Sequence, residues 1–182
     1  MSDTRTRTLV ALAAAMVLLA PAAASAATTG DTTVTFTVTA GTLDITVPAT
    51  VDLGSTAPGG TVSAPLGAVT VTDTRGASPA TWTTTVTSTD YTTGAATAAE
   101  TVPTANVTYW SGPTTASNPA IGFTPGQPTA GDAVALTAGQ TAFSFSGAGG
   151  NTATWNPTLT IAVPATAVAG TYSGTVTHSV AP

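Results

Sequence analysis

TLTIAVPATAVAGTYSGTVTHSV, residues 158–180, is the stretch whose reading decides the fold. Leu159, Ile161 and Val163 alternate with Thr158, Thr160 and Ala162. A period of two places three apolar side chains on one face of a strand. Pro164 stops that run, because proline has no N–H to give to a ladder. Gly170 reopens the chain, and Tyr172, Gly174, Val176, His178 and Val180 then share one face of a second strand. The Gly170-Thr171-Tyr172 corner has the form of a tyrosine corner, in which a buried Tyr hydroxyl bonds a nearby backbone group.

The same alternation recurs outward from this pair. TTVTFTVT (residues 32–39) reads as a strand, and Leu43, Ile45 and Val47 alternate in a second that stops at Pro48. Residues 51–53 read as a short strand, and residues 61–66, which carry Pro65, as an edge strand. Val69 and Val71 form another strand, which turns at Asp73-Thr74-Arg75-Gly76 with a local Asp73–Arg75 pair of little energetic weight if exposed. Trp82, Thr84 and Val86 share a face, as do Val107 and Tyr109, and Phe143 and Phe145. Residues 111–139 hold four prolines and read as a long surface excursion. LDITVPAT and LTIAVPAT are two similar strand-plus-turn units rather than a tandem repeat. With no amphipathic helical window, these nine or ten short strands predict an all-β fold. It is an antiparallel β-sandwich with Greek-key, Ig-like connections.

Composition agrees with that class. Charged residues are 6% of the 182, so the polar faces must be built from hydroxyls rather than charges. Thr and Val are stiff at χ1, which suits a pleated surface and disfavours helix. The chain holds no cysteine, and a domain of about 155 residues buries enough surface to fold without a disulfide.

The first 26 residues read as an export signal. Arg5 and Arg7 precede an apolar run at residues 9–20, Pro21 breaks it, and Ala24-Ser25-Ala26 fits the small-x-small cleavage pattern. The run is too short to span ~30 Å of hydrocarbon. Residues 27–182 are then expected to form a single secreted domain with no membrane span. Arg75 is its only Lys/Arg, so it lacks the basic cluster that nucleic acid or an anionic polymer requires.

The chemistry-bearing residues are few. His178 is the only histidine, and neither a zinc-ligand set nor a nucleophile elbow accompanies it. Asp44, Asp52, Asp73 and Asp90 fall near strand ends without the spacing of a calcium loop and read as turn residues. No catalytic residue, metal or cofactor is expected, and the protein is read as non-enzymatic. Trp82, Trp110 and Trp155 are candidates for stacking on sugar rings. Trp82 shares a face with Val86 and is expected in the core, whereas Trp110 and Trp155 lie beside loops and are expected to be partly exposed. Asn106-Val107-Thr108 is an N-glycosylation sequon of a kind frequent by chance in a Thr-rich chain.

Taken in order, the segments resemble the WxL-type domain of Gram-positive cell surfaces. Trp82-Thr83-Thr84 followed by Asp90-Tyr91 stands where that family has its first W-x-L motif and the acidic-aromatic pair after it. Tyr172-Ser173-Gly174-Thr175-Val176-Thr177-His178-Ser179-Val180 stands where it has Y-x-G-T-x-T-W-x-L. Residues 45–54, 69–76, 102–110 and 156–172 fit the framing segments. Thr84 replaces Leu, His178 replaces the second Trp, and Val180 replaces the last Leu. The resemblance implies a secreted, cell-wall-associated protein. It implies non-covalent binding to peptidoglycan or another wall glycan, or to other surface proteins, with Tyr172 and His178 joining the three tryptophans as candidate contact residues. The alternative is a structural or adhesive subunit that assembles with its own copies through edge strands. On these expectations His178 is accessible if the last strand binds a partner, and buried and hydrogen-bonded if it belongs to the core.

Overall fold

The computed structural model describes residues 28–182; the expected export signal and its cleavage point lie outside them. The chain divides after Thr37 into two units. In the first, residues 28–37 form neither strand nor helix. The second, Val38–Pro182, carries every strand described: β1 Leu43–Thr46, β2 Thr61–Pro65, β3 Val69–Asp73, β4 Ala80–Ser88, β5 Tyr91–Thr92, β6 Thr101–Val102, β7 Val107–Trp110, β8 Thr114–Asn118, β9 Phe123–Pro125, β10 Val134–Ala135, β11 Gln140–Gly147, β12 Asn151–Trp155, β13 Thr158–Ala162 and β14 Val176–Ala181. The fold is an all-β antiparallel sandwich.

Three four-stranded sheets run β1-β3-β12-β8, β10-β7-β13-β2 and β14-β4-β11-β9. The first two act as one bent layer. β3 pairs with β12 and β2 with β13 in nearly continuous register, and the Leu66 N–H, donating to Pro157 O at 2.7 Å, bridges the bend. β7 and β8 likewise continue each other against β13 and β12. The third sheet forms the opposite layer.

Two apolar clusters fill the space between the layers. One sets Val69, Val71, Ala153 and Trp155 of the bent layer against Ala80, Trp82, Phe143 and Phe145. The other joins Val107, Tyr109, Leu159 and Ile161 to Val86, Tyr91, Val102 and Ala142. Ala142 and Phe143 are neighbours, yet both point inward, because the β11 register shifts between Thr141 and Phe143. A bulge of this kind breaks the strict alternation that the sequence suggested.

Four expectations need correction. There are fourteen strands among the described residues rather than nine or ten, because several are only two or three residues long. TTVTFTVT does not form a strand: Val34, Phe36 and Val38 are 79%, 85% and 81% exposed. Its period of two is real, but alternation supplies no hydrogen bonds without a partner strand. Residues 51–53 are also not a strand. Residues 111–139 are no mere excursion, since β8, β9 and β10 each supply one edge of a four-stranded sheet. Their short runs, set between prolines, hid that role.

The Asp73–Arg75 pair is also more than a solvated turn contact. Asp73 is 1% exposed and accepts from Arg75 Nε and Nη2, both at 2.8 Å, and from the Arg75 backbone N–H at 2.9 Å. Asn151 Nδ2 approaches the same carboxylate at 3.4 Å, while Asn151 Oδ1 accepts from Trp82 Nε1 at 2.8 Å. Arg75 holds the Asp73 carboxyl below its ordinary range.

Candidate functional site

The two layers close against each other at β1 and β14 but part between β2 and β14, each of which ends its sheet. β1 pairs with β3 only; past Thr46 its chain swings out as residues 47–56 and leaves the outer edge of β2 without a partner strand among the described residues. An open groove of about 870 Å³ results, floored by Leu66, Leu159 and Ile161 and flanked by Val62, Val176 and His178. Residues 47–56 form one lip and residues 167–175 the other.

The second lip is held by the corner that the sequence announced. Tyr172 Oη donates within reach of two carbonyls, Val168 at 3.0 Å and Ala99 at 3.1 Å. Gly174 is required there by packing: a Cβ on it would stand 2.9 Å from the Tyr91 ring. The first lip exposes Val47 and Val51, each about two-fifths accessible. Its Asp52 accepts from the Gly54 N–H at 2.9 Å, a local turn bond.

His178 combines features of both alternatives, hydrogen-bonded like a core residue yet part of the groove lining. It is half-buried, its Nε2 lies 3.1 Å from Tyr109 Oη, and burial lowers its pKa to about 4. The imidazole is therefore neutral at pH 7. Burial likewise pushes the Tyr91 phenol up. Asp52 is the single Asp, Glu, Lys or Arg among the lining residues and His178 is neutral at pH 7, so the groove offers apolar surface, hydroxyls and main-chain groups with little charge.

Of the five candidate contact residues, the groove brings together Tyr172 and His178. Trp82 is buried in the core as expected, but Trp155, expected to be partly exposed, is 0% accessible and stacks on Phe143 at 4.6 Å. Its neighbours Asn156 and Pro157 look like a loop, yet they mark the bend of a buried strand pair. Trp110 is half-buried on β7 and does not line the groove. The lip residues Val47 and Val51 read as strand positions in the sequence, and nothing in their local sequence marks them as a lip.

Among the described residues no three His, Cys, Asp or Glu side chains gather as a metal site. The loop acids serve locally instead: Asp90 accepts from the Thr104 N–H at 2.8 Å, and Glu100 and Asp132 cap short 3-10 turns through Thr97 and Thr129. No helix among the described residues is long and apolar enough to cross a membrane.

Compared with known proteins, the chain matches no family model, and no curated protein is significantly similar to it.

Proposed function

We propose that this is an exported, non-enzymatic cell-surface protein that binds through the groove between β2 and β14. Its ligand is a surface partner protein, with wall peptidoglycan as the second reading. The observation that carries the proposal is the groove itself: an open apolar trough beside an unpaired strand edge, with Tyr172 and His178 in its lining. An unpaired edge offers a ladder of main-chain hydrogen bonds, and adjacent apolar pockets select side chains, which suits a polypeptide. The resemblance to WxL-type domains and the leader-like first 26 residues support a place at the cell surface. Half-buried Trp110 is what favours glycan as the second reading.

The test adds purified protein to washed bacterial envelopes. One batch is stripped of protein by protease and another is digested with muramidase. Retention lost with protease supports a partner protein, and retention lost with muramidase supports peptidoglycan. Binding to neither, or binding unchanged by Val51→Asp on the groove lip, overturns the proposal.

A further inference from the structure

We infer that the groove beside β2 receives residues 32–39 of a second copy of this chain as an added strand. The inference rests on the groove being the binding face and names what it binds.

Three observations meet here. The segment TTVTFTVT carries a strand's pattern without a strand's partner. Val34, Phe36 and Val38 alternate with threonines in sequence, and all three apolar side chains lie in solvent. Large apolar side chains exposed in an alternating row are what an edge-adding segment presents. The groove supplies what the segment lacks. β2 ends its sheet, so its outer backbone groups are unpaired by any strand among the described residues, and Val62, Leu66, Ile161 and Val176 line the trough beside it. Charge also fits: residues 32–39 hold no ionisable side chain, and the groove lining holds a single carboxylate, Asp52.

Chain direction selects a second copy over the same one. Leu43 pairs with Asp73, at the end of β3 that is far from β2. β1 itself occupies the line beside β3 from Leu43 to Thr46, so the chain enters the sheet at its end away from β2, and residues 32–39 would have to double back past β1 to lie along β2 of their own copy. A second copy's segment needs no such reversal. A contact between two different surfaces of the same chain is heterologous, and each added copy leaves a segment and a groove free for the next.

The chain has no cysteine, so introduced thiols report without ambiguity. Protein expressed from its full-length coding sequence and purified in its processed form is made as two differently tagged pools, Phe36→Cys and Val62→Cys. Mixed under mild oxidation, they are expected to give a disulfide-linked pair of both tags. Phe36→Cys mixed with Thr115→Cys, on the exposed side of β8, is expected to give far less. By light scattering, the wild-type mass is expected to rise with concentration, and Phe36→Asp to weaken that association at least tenfold. Because Phe36 is exposed, the thermal melt of Phe36→Asp should match the wild type. A monomer at every concentration, or equal cross-linking in both mixtures, overturns the inference. If Phe36→Asp still binds envelopes while the wild type never self-associates, the groove reading stands and this occupant falls. If neither envelope binding nor self-association occurs, both fall.

Discussion

Tyr109 Oη and His178 Nε2 stand 3.1 Å apart, joining β7 to β14, with ring centroids 5.6 Å apart and planes inclined at 57°. Burial raises the Tyr109 phenol and lowers the imidazole to about 4, so both rings are neutral at pH 7. The bond thus joins two neutral groups across the layers.

A pH dependence follows with a definite sign. The unfolded imidazole titrates near 6.5 and the folded one near 4. Between those values the unfolded chain binds more protons, so stability falls as pH drops from 6.5 toward 4 and is constant above 6.5 with respect to this group. The loss is on the order of 2 kcal/mol, given partial exposure. Urea midpoints at pH 7, 5.5 and 4.5 check it. His178→Phe should flatten the trend, and a wild-type midpoint that does not move with pH rules out the buried neutral imidazole.

Asn151 links the buried carboxylate of Asp73 to the indole of Trp82. Asn151→Ala leaves Trp82 Nε1 buried without its acceptor, at an expected cost of about 2 kcal/mol. Asn151→Asp keeps an acceptor but sets a second carboxylate beside Asp73, and should be at least as damaging. Denaturant midpoints of the two variants decide this. A wild-type midpoint for Asn151→Ala would show that water replaces the lost acceptor.

Much of this fold was legible because its signals are local. The alternation at residues 159–163 and the Gly170–Tyr172 corner describe β13 and the bond that closes the second lip, and both are present. Pro65 marked β2 as an edge, and β2 does end its sheet. What escaped reading was non-local. Trp155 looked loop-adjacent because the bend that buries it is made by pairing with β3, far away in sequence. β8, β9 and β10 become strands only through partners that lend their short runs a ladder. The groove was illegible for the same reason: it arises where β1 stops pairing, and no residue in β1 or β2 announces that.

Tyr172→Phe tests the corner. Its hydroxyl serves the carbonyls of Val168 and Ala99, so its loss should cost about 1 kcal/mol. Amide hydrogen exchange should quicken at Thr92 and Ser173, whose mutual backbone bonds tie β5 to this lip. Unchanged exchange there would mean that the lip is held without the hydroxyl.

Gly174→Ala probes the other support of the same lip. The added methyl meets the Tyr91 ring at 2.9 Å, with Asp90 O at 3.0 Å, so the ring or the strand must move. Overpacking of this kind costs about 1–3 kcal/mol. Tyr91→Ala combined with Gly174→Ala should then be less destabilised than the two single changes added together, because the ring that clashes is gone. Strict additivity in a double-mutant cycle would place the strain elsewhere.

The tryptophans give a last, optical prediction. Trp82 and Trp155 are 1% and 0% exposed, whereas Trp110 is half-buried beside Gly112. Acrylamide should therefore quench one of three emitters readily, and the other two should emit at shorter wavelength from their apolar surroundings. Trp110→Phe should remove most of the quenchable fraction and leave the blue component in place. If peptidoglycan fragments bind by stacking on an indole, they must shift the Trp110 component, because sugar cannot reach the other two without unfolding the core. If a polypeptide adds beside β2 instead, all three indoles should keep their spectra on binding, and the reporters should be the tyrosines that line the groove, Tyr91 and Tyr172.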